Sequence, residues 1–311
     1  KEEKITILSL LGHKIWFIYQ LSIQDQLSDS NIFKSIINIS KSNDLDLKNY
    51  KAIEQNNLIQ KQGEGLEIFI KDSFCGIPKG STPEQTRTEN YLKIFSDTGH
   101  ANNPPDAMIK GGDAMEIKKH ERFSRASLAL NSSPPRTILT NEDRNIASET
   151  RDCETKPWTR DYLYIIGNQK SKKLRRVTLC YGNCFVTCDN VYRDFFDKIK
   201  KSISDGLVGT SFLETKEFGR IYGIDPQNFT TLRIRSMFEL QNPNEIFKDV
   251  IDWKDEDLVI SAIMRKEKYE SFSDQDYNSL KSNNFEIKNF QAKDPDNPKE
   301  KIDLVLVRYS R

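Results

Sequence analysis

The chain has 311 residues, which is long enough for one large domain or two small ones with a substantial core. Its 47 basic and 46 acidic residues give a formal net charge of +1, which excludes binding to nucleic acid through a general positive charge. A nucleic-acid partner would need a local basic patch. Five cysteines, an odd number, do not make a disulfide framework, so we expect free thiols in a reducing compartment.

Residues 1–60 are predicted to form a mostly helical segment. The longest apolar run, residues 5–21, is interrupted by His13 and Lys14 and is shorter than the roughly 20 residues that span a bilayer. No small-residue cleavage site follows it, so we expect a buried helix or strand, no membrane contact and a cytoplasmic protein. In residues 25–53 the apolar residues recur at helical spacing, which predicts a helix.

Four stretches connect this segment to the centre of the chain. Residues 54–65 are polar and typical of a linker, whereas residues 66–74 keep a helical period and carry Glu67 near the start of the helix. Residues 76–87 are rich in turn-forming residues and predict a loop. Residues 91–95 predict a short helix or strand.

Residues 103–121 predict a β-hairpin with acidic residues on both strands. Two glycines at 111–112 form a turn signal between two short apolar alternations. Side-chain direction repeats every two residues on a strand, so we expect Glu116 and Lys118 on the same face. Asp106 opens the first strand, and a hairpin that brings it beside Glu116 would gather two carboxylates and an ammonium around one point.

This combination of side chains suits the hydrolysis of phosphodiester bonds. Such hydrolysis must place a water molecule opposite the leaving oxygen and neutralise charge that develops on the phosphate. Asp106 and Glu116 can hold a divalent ion that does both, with Glu67 as a third carboxylate. Lys118 can then stabilise the developing charge or help to deprotonate the water. Charged alternation on an exposed hairpin also arises without function, so a non-catalytic protein with a solvated hairpin is the alternative.

Two further charged residues of the hairpin are candidates for supporting roles. Asp113 is three residues from Glu116, which puts the two on opposite faces of a strand. We expect Asp113 to cap the turn or support the site rather than bind a metal ion. Lys119 points away from Lys118 by the same alternation, and we expect it at the surface or against the DNA backbone.

Residues after the hairpin predict strands and helices. Residues 162–166 and 174–181 are rich in β-formers and predict central strands, and residues 191–203 predict a helix. The C-terminal third is predicted to contain strands, a mixed segment, a helix and a terminal strand: residues 219–224, 230–238, 258–272, 273–280 and 302–309. This order predicts an α/β fold with a central mixed β-sheet flanked by helices.

Several polar residues outside the hairpin allow two interpretations each. Asn131, Ser132 and Ser133 can contact bases or phosphates, or they can cap their own loop. The basic residues within 170–176 can contact phosphates or solvate the tip of a hairpin. The histidines and cysteines lack the spacing of a zinc site.

A series of motifs follows in order within residues 62–200: NNPPD at 102–106, GDAMEIKK at 112–119, NSSPPR at 131–136, RDYLY at 160–164 and YG at 181–182. Together they resemble bacterial type II restriction endonucleases of the PD-(D/E)XK nuclease superfamily, in the group with the pattern NNPPD, GDAxExKK and NSSxPK. The joint occurrence is more specific than the two carboxylates and the lysine alone. Arg136 and Arg160 stand where the pattern carries lysine, which keeps the charge and changes its geometry.

The resemblance implies a restriction-endonuclease-like core and a specific reaction. That reaction is Mg²⁺-dependent cleavage of double-stranded DNA at a short palindrome, and it leaves 5′-phosphate and 3′-hydroxyl ends. The expected location is the cytoplasm of a bacterium. It implies a homodimer with a cognate DNA methyltransferase as genetic partner, and it favours a GC-rich palindrome such as GGCC. A structure- or damage-directed nuclease on the same core and a non-catalytic DNA-binding protein are the alternatives.

The resemblance also assigns residues and domains. It implies that Asp106, Glu116, Glu67 and the main-chain carbonyl of Ile117 bind the metal ion, and that Lys118 is the catalytic lysine. The DNA contacts that it implies are Asn131, Ser132, Ser133, Arg136, Lys119 and Arg160. Residues 61–205 would form the nuclease core, and residues 206–311 would form an α+β part of the same domain that serves DNA recognition or dimerisation.

Overall fold

The structure is a computed structural model that describes residues 28–50, 60–77, 82–101, 103–121, 123–131, 133–253 and 256–311, with residues 60–64 described through their backbone only. The helix or strand expected at residues 5–21 and the candidate Ser132 lie outside the described residues.

The described chain contains eight α-helices and 14 strands. The helices are α1 (Ile32–Lys41), α2 (Gln60–Cys75), α3 (Glu84–Ile94), α4 (Ser148–Asp152), α5 (Asp189–Gly206), α6 (Pro243–Ile246), α7 (Lys266–Glu270) and α8 (Asp274–Ser282). The strands are β1 (Phe95–Asp97), β2 (Ala107–Ile109), β3 (Ala114–Glu121), β4 (Leu128–Asn131), β5 (Ile138–Thr140), β6 (Thr159–Lys170), β7 (Lys173–Tyr181), β8 (Ser211–Glu214), β9 (Gly219–Tyr222), β10 (Leu232–Ile234), β11 (Met237–Leu240), β12 (Val259–Arg265), β13 (Glu286–Lys293) and β14 (Lys301–Ser310).

A mixed sheet forms the centre of the molecule. Its strand order is β1-β2-β3-β6-β7-β12-β14-β13, and β5 pairs with β6 outside this path. Strand β3 runs parallel to β6, and β7 runs parallel to β12, whereas the other pairs in the sheet are antiparallel. The α/β fold with a central mixed sheet that the sequence predicts is therefore confirmed.

The sheet separates two apolar cores, and strand β3 contributes to both. Met115 and Ile117 point into the larger core, which also contains buried residues of α1 and α2. Ala114 belongs to the smaller core with Tyr162 and Tyr164 of the neighbouring strand β6. Glu116 follows the alternation of Ala114, so it lies on the side of the smaller core. The larger core thus supports one face of the hairpin, and the charged side chains of the hairpin lie on the opposite face.

Strands from residues 206–311 complete the central sheet and add two smaller sheets. Strands β12, β14 and β13 extend the central sheet beyond β7. Strands β10, β9 and β8 form a three-stranded sheet, and β11 pairs with β4. No described helix is both long and apolar enough to cross a membrane.

Two predictions of local structure were wrong in part. The linker predicted for residues 54–65 is helical from Gln60 onward, and Gly65 serves close packing, since a Cβ there would lie 2.5 Å from the carbonyl oxygen of Leu47. The loop predicted for residues 76–87 gives way to α3 at Glu84. There, buried Arg87 donates to Asp72 of α2, and this pairing holds a helix whose own sequence is polar.

The sequence pattern does not predict strand β13, because this strand lies at the edge of the sheet with most of its side chains exposed. An edge strand that is exposed on both faces lacks the alternation that reveals a half-buried strand. The hairpin, the helix at residues 66–74, the helix at residues 191–203 and the central strands are confirmed, with the strands extending further than predicted.

Candidate active site

The hairpin formed by β2 and β3 places Asp106 beside residues 115–117. Ala107 pairs with Met115, and the main-chain N–H of Asp106 donates to the carbonyl oxygen of Met115 at 2.9 Å. The Asp106 Oδ2 atom accepts a hydrogen bond of 2.6 Å from the main-chain N–H of Ile117. The first carboxylate is therefore fixed to the strand that carries the second.

Glu116 and Lys118 project from the same face of β3 and contact each other. The Lys118 Nζ atom lies 2.6 Å from Glu116 Oε1. On the other side, the hydroxyl of Tyr162 donates to Glu116 Oε2 at 2.7 Å. Glu116 is only 9% exposed, so both of its oxygens are positioned by protein contacts. A carboxylate has about four lone-pair sites, and these two contacts leave acceptor capacity on Glu116.

The charges of this site perturb the pKa values of Asp106 and Lys118. Desolvation by burial, followed by the negative charges of Glu116 and Glu67, raises the pKa of Asp106 to about 8. Burial alone would lower the pKa of Lys118, but Glu116 and Asp106 outweigh it and hold that pKa above its ordinary value. Lys118 therefore stays protonated at neutral pH.

Glu67 approaches the site from helix α2. Its negative charge contributes to the raised pKa values of both Asp106 and Lys118. It also forms an ion pair of 3.7 Å with Lys71 one turn along the helix. The side chain of Glu67 is 35% exposed, so it lies at the margin of the site.

Asp113 and Lys119 point elsewhere. Asp113 is buried and accepts hydrogen bonds from Tyr181 at 2.6 Å and from Lys268 at 2.9 Å. These contacts connect the hairpin turn to β7 and α7. Lys119 lies 2.9 Å from Glu121, in accord with the alternation that turns it away from Lys118.

The residues expected to contact DNA fall into two groups. Asn131 and Ser133 line the same cleft as Asp106 and Glu116. Arg136 is 2% exposed, and its guanidinium donates to the hydroxyl of Ser133 and to the carbonyl oxygen of Pro134 at 3.3 Å.

Arg160, the remaining candidate, lies on β6 and is held by protein contacts. It forms an ion pair with Glu154 and donates to its neighbour, the carbonyl oxygen of Thr159, at 2.8 Å. Arg136 and Arg160 thus have protein partners, and neither lines the cleft that contains Asp106.

Residues 30–294 match the family model described as NgoPII restriction endonuclease. The chain belongs to this family. It is 33% identical over 283 residues to the Type II restriction enzyme NgoPII of Neisseria gonorrhoeae, an alignment that covers 90% of this chain and 99% of the relative. No solved structure matches the chain. The resemblance to type II restriction endonucleases is confirmed, and the chain is a type II site-specific deoxyribonuclease.

The donor set of this restriction enzyme can be compared with what a divalent ion requires. Among the residues that the structure describes, no three His, Cys, Asp or Glu side chains form a group that could hold a metal ion. Two carboxylates and a main-chain carbonyl are the donors available at the hairpin, and Mg²⁺ is often held by one or two carboxylates with several waters. Burial raises the pKa of Asp106, and the negative charges of Glu116 and Glu67 raise it further, so a bound cation would favour the ionised carboxylates. These residues therefore fit a hard divalent ion.

The cleft of the restriction enzyme also contains residues that the sequence did not indicate. Its volume is about 820 Å³, and besides the hairpin it is lined by Lys216, Glu217, Arg233, Arg235 and Ser236. These residues lie more than 95 positions from Glu116 along the chain. The one local signal is the Arg-x-Arg spacing at residues 233–235, which is common on exposed strands.

Proposed function

We propose that this restriction enzyme hydrolyses both strands of DNA at a short palindrome in a Mg²⁺-dependent reaction that leaves 5′-phosphate and 3′-hydroxyl ends. The observation that supports the reaction is the meeting of Asp106, Glu116 and Lys118 at one cleft, on one hairpin, with Glu116 held between Tyr162 and Lys118. This is the combination of carboxylates and a cation that phosphodiester hydrolysis requires.

The metal ion would be held by Asp106, Glu116 and the main-chain carbonyl of Ile117, with Glu67 at the margin of the site. When bound, Mg²⁺ supplies a nucleophilic water of lowered pKa and neutralises charge on the phosphate. The protein contributes fixed positions: Ile117 N–H orients the Asp106 carboxylate, and Tyr162 orients that of Glu116.

Lys118 has the role of a charge stabiliser in this proposal. A general base must be deprotonated at the working pH, whereas the pKa of Lys118 is held above its ordinary value by Glu116 and Asp106. A permanently protonated ammonium beside the carboxylates can donate to a phosphate oxygen as negative charge develops there. Of the two roles that the sequence left open, the electrostatics favour this one.

Cleavage of both strands at a palindrome also implies two copies of the chain. The described hairpin supplies one set of Asp106, Glu116 and Lys118, and a homodimer would place one set at each strand. In a cell, a methyltransferase that modifies the same sequence would protect the host DNA as a genetic partner. The cytoplasmic location stays a prediction.

The test uses purified protein and plasmid DNA of known sequence, with Mg²⁺ or with EDTA. We expect discrete fragments with Mg²⁺ and intact plasmid with EDTA. Sequencing of the fragment ends gives the recognition site and the end chemistry, and GGCC is the first sequence to examine. Nicks confined to mismatched or branched DNA, or binding without cutting, would contradict the proposal.

A further inference from the structure

Arg233 and Arg235 bring positive charge to the cleft from the C-terminal part of the chain. Arg233 lies on β10 and Arg235 follows this strand by one residue. Residues two apart on an extended chain project to the same side. Both side chains line the cleft that contains Asp106 and Glu116. A ligand that reaches the carboxylates therefore also meets this pair of arginines.

Glu217 holds both arginines through hydrogen bonds. Its Oε2 atom accepts from Arg233 Nε at 3.2 Å and from Arg233 Nη2 at 2.9 Å, and its Oε1 atom accepts from Arg235 Nε at 2.9 Å. The side chain of Glu217 is 14% exposed, whereas those of Arg233 and Arg235 are 49% and 54% exposed. The carboxylate thus lies beneath two guanidinium groups that remain accessible from the cleft.

The pairing of β4 with β11 connects this arginine pair to the core. Met237 at the start of β11 lies opposite Asn131 at the end of β4. Because the strands are antiparallel, the residues that precede Met237 and those that follow Asn131 emerge at the same end. Arg235 and Ser133, each two residues from that pair, both line the cleft. The arginine pair is therefore adjacent to the polar loop after β4.

Two arginines that share one carboxylate are better suited to base edges than to phosphates. Glu217 cancels part of the positive charge that attracts a phosphate, and its own charge repels one. In return, Glu217 fixes the orientation of the guanidinium planes, which lowers the entropy lost on binding. A fixed planar set of donors matches the O6 and N7 acceptors that guanine presents in the major groove.

We propose that Arg233 and Arg235, held in position by Glu217, contact guanine edges in the recognition site and determine the sequence specificity of cleavage. The inference rests on the proposed cleavage of DNA at a specific sequence. It assigns the readout of bases to residues of the C-terminal part of the chain that line the same cleft as Asp106, Glu116 and Lys118.

The test combines protein variants with modified DNA. The recognition site is first mapped with the wild-type enzyme, and duplexes are then made in which one guanine at a time is replaced by 7-deazaguanine, which lacks the N7 acceptor. We expect Arg233→Lys and Arg235→Lys each to slow cleavage by about 10- to 100-fold. If an arginine contacts a given guanine N7, replacing that guanine by 7-deazaguanine slows the wild-type enzyme. The same replacement should slow the corresponding lysine variant little further, because the contact is already lost.

Two further variants complete the experiment. Glu217→Gln keeps the side-chain shape and removes the charge that orients both arginines, so we expect a lower ratio of cleavage at the recognition site to cleavage at sites with one changed base. Arg220→Lys is the matched control, because Arg220 pairs with Arg233 in the same small sheet and does not line the cleft. We expect wild-type rates and site preference from it, and circular dichroism spectra shared by all variants.

Three outcomes would overturn the inference. The first is unchanged rate and site preference in both lysine variants. The second is that 7-deazaguanine, at every position, slows the lysine variants by the same factor as the wild-type enzyme. The third is a wild-type cleavage rate in the lysine variants together with weaker DNA binding in Arg233→Ala and Arg235→Ala. If that binding is weaker at every DNA sequence and depends less on salt, the arginines contact phosphates. A wild-type enzyme that cuts no DNA would overturn the proposed function as well, whereas normal cutting by the variants overturns this inference alone.

Discussion

The hairpin of β2 and β3 and the arginine pair lie at the same cleft and are held in different ways. Glu116 belongs to a strand inside the central sheet, is 9% exposed and is fixed by Tyr162 and Lys118. Arg233 and Arg235 lie on or beside a small three-stranded sheet and are about half exposed. Hydrolysis needs atoms fixed by rigid supporting contacts. Base recognition can be carried by peripheral strands, which tolerate variation of side chains without loss of the core.

Removal of a charged side chain of the hairpin should lower the cleavage rate more than the other substitutions. Asp106→Ala, Glu116→Ala and Lys118→Ala should each slow cleavage by about a thousandfold or more, because each removes a group proposed to act on the transition state. Binding of DNA should be largely preserved, since the arginine pair remains. Cleavage rates and gel-shift affinities measure the two effects separately.

Lys288→Ala is a control for the loss of a lysine from a strand. Lys288 is exposed on β13, at the far edge of the sheet. Its loss should leave both cleavage and binding unchanged. Wild-type cleavage rates in any of the three hairpin variants would remove that residue from the assigned site.

A smaller effect is expected for Glu67, which lies at the margin. Glu67→Ala should slow cleavage by about tenfold, because a partly exposed carboxylate contributes less than a buried ligand. Glu89→Ala, an exposed glutamate on the neighbouring helix α3, is the matched control and should cut at the wild-type rate. If the two variants show equal rates, Glu67 does not belong to the metal-binding set.

The same contrast explains how much of the molecule the sequence predicts. Asp106, Glu116 and Lys118 lie within 13 consecutive residues, and the turn at 111–112 with strand alternation is enough to bring them together. The arginine pair depends on the pairing of β4 with β11 and on Glu217, which are contacts between distant parts of the chain. Local patterns carry no information about such pairings.

Contacts between buried polar side chains could not be predicted from the sequence either. The strand containing Tyr162 is predictable from its β-forming residues, but its parallel register with β3 sets the hydroxyl of Tyr162 beside Glu116. Likewise, Arg136 belongs to a recognisable motif, and only the fold shows that it is buried against Ser133 and Pro134.

Substitution of Tyr162 and of Tyr164, two buried tyrosines of β6, should distinguish a residue that positions the site from one that only stabilises the fold. Tyr162→Phe removes the donor to Glu116, so we expect about fivefold slower cleavage, equivalent to ~1 kcal/mol. Tyr164→Phe removes a hydroxyl that accepts from the main-chain N–H of Arg136 at 2.8 Å, although Tyr164 pairs with Glu116 across β3 and β6. It should lower the free energy of unfolding by ~1–3 kcal/mol and leave the cleavage rate of the folded enzyme unchanged. Equal rates in both variants would show that the Tyr162 hydroxyl does not position Glu116.

The smallest expected effect is a change in the pH dependence of stability, measured in EDTA by urea unfolding of the wild type and of Asp106→Asn. The pKa of Asp106 is raised from its ordinary value of 3.8 to about 8, so between these pH values the folded state binds a proton that the unfolded state releases. Wild-type stability contributed by this group is complete below pH 3.8 and is lost as the pH rises towards about 8. Asparagine cannot ionise, so the variant should gain stability relative to the wild type across this range. Parallel stability curves would mean that neither burial nor the charges of Glu116 and Glu67 raise the pKa of the Asp106 carboxyl group.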